Sequence, residues 1–114
     1  MRRELLLLRE MCDAATAIRE LVSGDDADQI EQDALRRSAL LWYFTVLGEA
    51  ATQVPPETKA AAPGVKWRAA SRLRNRIVHG YWDIDIETLV ATATDDLPEM
   101  IGHLAQAISG LEQE

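Results

Sequence analysis

The sequence has a single cysteine, few aromatic residues and no long hydrophobic run. Because Cys12 is the only cysteine among 114 residues, the chain can form no internal disulfide and no cysteine metal cluster. No apolar stretch reaches the roughly 18 residues that a membrane span needs. The four leucines at Leu5–Leu8 are followed at once by Arg9 and Glu10, which is not the pattern of a signal peptide. We therefore expect a cytoplasmic protein that does not associate with membranes.

Signals for β-strands are also nearly absent. The sequence has no sustained alternation of polar and apolar residues and no Asn-Gly or Asp-Gly turn. Apolar residues instead recur with the period of amphipathic helices. Hydrophobic residues make up 47% of the chain, which is enough for one ordinary core. We predict one all-α domain over residues 1–114.

Capping residues, glycines and prolines divide the chain into four predicted helices. Asp25 or Asp26 can cap the second helix, and Asp83 or Asp85 can cap the fourth. Pro98 should kink or restart the fourth helix. The expected arrangement is a four-helix up-and-down bundle with a kinked fourth helix. The predicted helices are at about Arg3–Val22, Ala27–Val54, Val65–His79 and Ile86–Ile108.

The second half of the second helix, Ala39–Leu47, is apolar nearly all round. A helix that is apolar on every side is buried on every side. A small monomer rarely buries a helix that fully, so this segment predicts a homodimer.

Charge is distributed unevenly along the chain. The net charge of −7 by itself argues against binding to nucleic acid. However, Thr58–Trp82 contains six basic residues and no acid, and the other six basic and nineteen acidic residues leave −13 on the rest. A local charge of +6 on an otherwise acidic chain indicates a site that binds anions at one place on the surface. A solvated basic face on one helix would have the same composition.

The third helix carries arginines on two faces. At 100° per residue, Arg74 lies in the middle of the apolar arc between Trp67 and Leu73. Burying a guanidinium without a partner costs several kcal/mol. An anion bound in a cleft would offset that cost, and so would a salt bridge to Glu49 in the second helix. The helical-wheel positions leave both interpretations open.

The opposite arc has the residues of a possible nuclease site. Asn75 and His79 are four residues apart, close enough for the amide to orient the imidazole. A lone histidine near a helix end is more often structural than catalytic. With arginines beside it, however, it suits RNA cleavage without a metal or cofactor, because histidine transfers protons while arginine stabilises the phosphate. The same arc presents a basic ridge at i, i+4 spacing for RNA, namely Arg68, Arg72 and Arg76.

Arg74 and His79 lie about 140° apart on a continuous helix. They can face one ligand only if the helix breaks before His79 or if a second subunit contributes. Gly80 supports the first possibility, and the apolar second helix supports the second.

Four blocks of the sequence stand in an order that is typical of one family. The motif Arg-x4-His-x-Tyr is formed by Arg74, His79 and Tyr81. The remaining blocks are Leu47–Ala51, Pro63–Arg68 and Thr94–Glu99. Over about residues 3–108 the chain resembles the HepT-like toxins of the HEPN superfamily.

This resemblance implies a dimeric HEPN-like bundle and a metal-independent endoribonuclease, with tRNA as the substrate of some members. Arg74 and His79 would be the catalytic pair, and Asn75 would be the polar residue that follows the arginine. The resemblance also implies a toxin–antitoxin module whose antitoxin is an MntA-like minimal nucleotidyltransferase. That partner would transfer AMP to Tyr81, which adds bulk and negative charge where RNA phosphates bind.

Two alternatives to the toxin ribonuclease stay open. One is a non-catalytic HEPN module that binds a nucleotidyltransferase partner, and the other is an inert helical adaptor in which Arg74 is only salt-bridged. Departures from the family pattern occur at Gly80 and Trp82, which flank the motif residues, and at Trp42–Phe44. His103 is interpreted as a surface or boundary residue.

Overall fold

The protein is a helical bundle, here represented by a computed structural model that describes residues 2–114. The prediction of an all-α bundle is confirmed, and no β-strand occurs in the described part of the chain. The helices, numbered in chain order, are α1 (Arg3–Val22), α2 (Ala27–Glu31), α3 (Ala34–Gln53), α4 (Pro56–Ala61), α5 (Trp67–Gly80), a 3₁₀ helix (Tyr81–Asp83), α6 (Ile86–Asp95) and α7 (Leu97–Glu112).

The second predicted helix is in fact two helices. α2 ends at Glu31 and α3 begins at Ala34. Asp33 has an extended backbone between them, and its carboxylate accepts a hydrogen bond of 3.1 Å from the Arg36 N–H. An aspartate in this position satisfies free N–H groups at the start of a helix. The expectation of one continuous helix over Ala27–Val54 is therefore wrong.

The division of the fourth helix follows the prediction. α6 begins after Asp85, whose carboxylate accepts a hydrogen bond of 3.0 Å from the Glu87 N–H. It ends at Asp95, and α7 follows with Pro98 in its first turn. Proline is tolerated there because the N–H that it lacks would have no helical partner.

α3 is the central helix of the bundle. It packs against α1 on one side and α5 on the other, and α1 also contacts α6 and α7. α5 packs mainly on α3 and has little contact with α6 and α7, so a groove remains along that side of the bundle. Burying each large apolar side chain contributes roughly 1.5–3 kcal/mol. The largest fully buried side chains are Leu8, Met11, Ile18, Ile30, Leu40, Phe44, Leu89, Leu97 and Leu104.

The apolar segment of α3 is not covered on all sides by its own chain. Leu40, Phe44 and Leu47 are buried, but Trp42 is 63% exposed. Leu35, two turns earlier on the same side of α3, is 84% exposed. One apolar face of α3 is therefore open to solvent.

Cys12 is half-buried against the core of the bundle. Burial raises the pKa of its thiol, and the charge of Asp13 raises it further. A raised pKa reduces the thiolate fraction, and the thiolate is the reactive form. Cys12 therefore suits packing better than chemistry. None of the helices within residues 2–114 is both long and apolar enough to cross a membrane.

α3 and α5 are in close contact at Gly48. A Cβ built on Gly48 would lie 2.3 Å from the Cβ of Arg74 and 2.5 Å from the carbonyl oxygen of Ala70. The second atom belongs to the backbone, so a side chain here would push the helices apart. Gly80 differs, because a Cβ there would meet no atom closer than the Asp83 Cβ at 4.0 Å.

We expect Gly48→Ala to lower the free energy of unfolding by about 1–3 kcal/mol, because the added methyl overpacks the helix contact. Gly80→Ala is the matched control and should leave stability unchanged or slightly raised. Urea denaturation followed by circular dichroism measures both. Equal stability of the two variants would contradict the close approach at Gly48.

Candidate active site

Arg74 lies on the side of α5 that faces α3. Its Nη2 is 3.1 Å from Oε2 of Glu49, so the predicted salt bridge between these residues is present. Its Nη1 donates a hydrogen bond of 3.0 Å to Oδ1 of Asn75. The Arg74 side chain is 30% exposed and that of Glu49 47%, so solvent reaches the pair. The guanidinium is thus only partly buried, and its ends are held by two acceptors.

The Nε of Arg74 is buried and has no hydrogen-bond partner among residues 2–114. A buried donor without an acceptor costs roughly 1–3 kcal/mol. The Arg74 residue also lines a hollow of about 370 Å³ whose walls include Leu7, Trp42 and Val46. Glu49 lines the same hollow. The site therefore combines a fixed guanidinium with a hollow that the same residue lines.

Asn75 contacts a different residue from the one that was expected. Its amide oxygen accepts the hydrogen bond from Arg74, whereas the helix spacing suggested that the amide would orient His79. A hydrogen bond from a charged guanidinium is stronger than one between neutral groups, which favours Arg74 as the partner. Asn75 is therefore placed to position Arg74.

His79 lies within α5, which continues to Gly80. The imidazole is exposed and lines a notch of about 240 Å³ together with Arg76, Asp83 and Ile84. The helix break before His79 that Gly80 would permit does not occur, and Gly80 has a φ of −169°, which does not require glycine. The expectation that Gly80 turns His79 towards Arg74 is wrong. Within one chain, the two motif residues line separate cavities.

The predicted basic ridge is exposed on α5. Arg68, Arg72 and Arg76 have no ion-pair partner in the described chain, whereas Lys66 lies 3.6 Å from Asp96. Arg72 and Arg76 line the groove of about 310 Å³ between α5 and the α6–α7 pair. The groove is also lined by apolar side chains, Phe44, Leu47, Ala69, Ala70, Leu73, Leu97 and Met100.

The ridge and the histidine are physically connected. Arg76 lines both the groove and the notch that contains His79. Arg68 is further away and borders a separate shallow hollow with Lys59 and Trp67 near the start of α5. Unpaired cations therefore follow α5 as far as the notch of His79.

Tyr81 begins the 3₁₀ helix directly after α5. It is 56% exposed, and its carbonyl oxygen accepts a hydrogen bond of 3.3 Å from Nη2 of Arg37 in α3. The ring of Tyr81 meets that of Trp82 edge to face, with centroids 5.1 Å apart. Trp82 was noted in the sequence only as a departure from a family pattern, and its exposed indole beside the motif is a feature that only the structure shows.

His103 lies far from these residues in the sequence and contributes to another part of the surface. Its side chain is 35% exposed, and its Nε2 is 3.5 Å from Oε1 of Glu99. The ring also packs against Gly64, where an added Cβ would come within 2.6 Å of it. The interpretation of His103 as a boundary residue agrees with this position.

The helical bundle and the Arg74-x4-His79 motif define a HEPN-like protein. Residues 11–107 match the family described as ribonuclease HepT-like, and the chain belongs to that family.

Several relatives align with most of this chain. A protein of Thermococcus cleftensis described as "Probable ribonuclease HepT" is 25% identical over 95 residues, which cover 83% of this chain and 86% of the relative. A "Putative RNase" of Methanocaldococcus jannaschii is 26% identical over 87 residues, covering 76% of this chain and 72% of the relative. A "Putative RNase" of Caldanaerobacter subterraneus is 22% identical over 81 residues, 71% of this chain and 72% of the relative. No solved structure matches the chain significantly.

The ion pair of Arg74 allows a test of whether this arginine is structural. Because both side chains are partly exposed, we expect Glu49→Gln to change the free energy of unfolding by less than about 1 kcal/mol. Glu10→Gln, in the α1 wall of the same hollow, is the matched control. Urea denaturation measures both variants. A loss of about 3 kcal/mol or more for Glu49→Gln would instead indicate a buried structural pair and would support the inert adaptor.

Proposed function

We propose that the protein is the ribonuclease toxin of a toxin–antitoxin module and that it cuts RNA, including tRNA, without a metal ion. Membership of the ribonuclease HepT-like family supports a nuclease activity. The observation that supports the rest of the proposal is the surroundings of the two motif residues, Arg74 and His79. Arg74 is fixed by two acceptors and lines an open hollow, and His79 is exposed in a notch that Arg76 and Asp83 also line.

The proposed chemistry needs two proton transfers, one of which can involve water, and one fixed cation. The ribose 2′-oxygen attacks the adjacent phosphorus as its proton passes to a base, and the bond to the 5′-oxygen breaks as that oxygen receives a proton. The imidazole of His79 serves for one of these transfers. The guanidinium of Arg74 stabilises the charge that develops on the phosphate oxygens, and Asn75 and Glu49 hold it in place.

The site of one chain is incomplete in this scheme, because Arg74 and His79 line different cavities. Leu35 and Trp42 of α3 and Val78 of α5 are exposed large apolar residues on the two helices that hold Arg74, and we infer that they form one apolar face. Covering such a face with a second copy would bury apolar surface. In a two-fold dimer the contact is reciprocal, so each copy would supply one residue to each of two equal sites. We propose that the histidine of one protomer meets the arginine of the other.

Mixing two inactive variants tests this dimer. Arg74→Ala and His79→Ala should each lose roughly 10²-fold or more in RNA cleavage rate. When the two are refolded together, half of the dimers are mixed and each mixed dimer has one intact site, so about a quarter of wild-type activity should return. Sedimentation checks that mixed dimers form. Mixed dimers without any recovered cleavage would show that both residues act within one chain.

Expression in a bacterial host tests the toxin role. Wild-type protein produced without a partner should arrest growth, and Arg74→Ala or His79→Ala should restore it. Arg19→Ala, an exposed arginine in the last turn of α1, is the control and should remain toxic. Unaffected growth with well-folded wild-type protein would favour the non-catalytic module that binds a nucleotidyltransferase.

We further propose that an MntA-like nucleotidyltransferase neutralises the protein at Tyr81. The phenolic oxygen would attack the α-phosphorus of ATP, pyrophosphate would leave, and the phenolic proton would pass to the partner or to water. Tyr81 is 56% exposed, and Arg76 and His79 lie in the preceding turns of α5. An AMP group there would place negative charge where the RNA phosphate is expected.

Tyr81→Phe tests this regulation. The variant should stay toxic but should no longer be neutralised by the co-expressed nucleotidyltransferase, since it lacks the accepting oxygen. Tyr43→Phe in α3 is the matched control, and mass spectrometry should detect added AMP on that variant and on the wild type. Neutralisation of Tyr81→Phe with AMP elsewhere on the chain would contradict the assignment.

A further inference from the structure

Trp82 has an exposed indole that does not pack into the core of the bundle. It is 70% exposed, more than any other aromatic side chain in the described residues. Burial of an aromatic side chain of this size is normally favourable, so an exposed indole indicates a surface that can bind a ligand. Within the described part of the chain its only ring contact is with Tyr81, so much of the indole is open to a ligand.

The surroundings of Trp82 favour an anionic ligand. Gly80, two residues before Trp82, and Asp83, directly after it, both line the notch that contains Arg76 and His79. Within residues 2–114 Arg76 has no ion-pair partner, so its charge is available. Asp83 is the one carboxylate in the lining, and it can accept a hydrogen bond from a hydroxyl or amino group of a ligand.

The local backbone holds the indole in a defined place. Trp82 is the middle residue of the 3₁₀ helix, where successive side chains diverge by about 120°. The planes of the Tyr81 and Trp82 rings are inclined by 76°, which is a favourable edge-to-face contact. The hydrogen bond from Arg37 to the Tyr81 carbonyl ties this turn to α3. The turn that carries the indole is therefore held against α3.

We propose that Trp82 is a stacking platform for a nucleobase of single-stranded RNA, next to the phosphate bound by Arg76 and His79. This inference rests on the proposed function, which makes RNA the substrate. A flat aromatic surface beside an unpaired cation matches the two parts of a nucleotide, because bases stack on aromatic rings and phosphates bind arginine. The apolar face suited to a second copy is formed by other residues, Leu35, Trp42 and Val78. Trp82 would thus select for an unpaired base near the cut.

Binding of an uncleavable RNA separates this platform from the chemistry. The probe is a labelled 2′-O-methyl single-stranded oligonucleotide of about twelve nucleotides, within the range of sites for single strands. Trp82→Leu should weaken its binding by roughly 5- to 100-fold, whereas Trp82→Phe should retain most of the affinity. Tryptophan fluorescence should be quenched by the probe in wild type but not in Trp82→Phe.

A double-mutant cycle identifies the stacked base. One abasic nucleotide is moved along the probe, and at one position its effect on affinity and that of Trp82→Leu should not add.

Equal affinity of Trp82→Leu and wild type for the probe, or no binding of the probe by wild type, would overturn the platform. So would a Trp82→Leu variant that sediments as a monomer where wild type is a dimer, or one that loses only a nucleotidyltransferase partner. Binding through Trp82 without cleavage of ordinary RNA would uphold the platform and reject the nuclease. Cleavage with an unchanged KM in Trp82→Leu would reject the platform alone.

Discussion

The close contact between α3 and α5 at Gly48 determines where Arg74 lies. Without a side chain at Gly48, the Cβ of Arg74 and the backbone at Ala70 can rest directly on α3. Glu49, the next residue of α3, then reaches the guanidinium at 3.1 Å. One tight helix contact therefore provides both the space for the arginine and its acidic partner. A wider separation of these helices would leave the guanidinium free to move, and a mobile cation stabilises developing charge poorly.

The salt bridge of Arg74 does not by itself decide between a structural and a catalytic arginine. A buried pair would use its donors fully and would exclude solvent. Here both partners are partly exposed, Nε has no partner in the described chain, and a hollow opens beside them. These features are those of a positioned cation. Glu49 and Asn75 hold opposite ends of the guanidinium, and the orientation is set before any ligand binds.

Local signals in the sequence were enough to predict much of the fold. Prolines and capping aspartates correctly predicted the end of the second helix and the division of the fourth, because their effects depend on a few neighbouring residues. The break at Asp33 was missed because the helical period of apolar residues continues on both sides of it. The pairing of Arg74 with Glu49 was foreseen as one of two alternatives.

The remaining errors concern the site. The partner of a side chain there depends on the charges around it, and the end of a helix depends on the conformation of a single residue. A helical wheel gives the direction of Asn75 but cannot show that its amide oxygen bonds to the adjacent guanidinium. Gly80 permits a break without requiring one, and α5 in fact continues through His79. The exposure of Trp42 depends on how much of α3 the other helices cover, and a local sequence pattern cannot predict that coverage.

The distribution of charge makes the proposed binding of RNA compatible with an acidic chain. The body outside Thr58–Trp82 carries −13 and repels a polyanion, so approach is favoured only along α5. Two of the six cations in that stretch are already paired, Lys66 with Asp96 and Arg74 with Glu49. One chain thus offers few phosphate contacts, and each contact adds only modestly to an affinity that salt weakens. A second copy would double these contacts without adding basic surface elsewhere. The affinity for RNA and the completion of the Arg74–His79 site would then both depend on dimerisation. A chain without its partner copy would neither bind RNA well nor cut it.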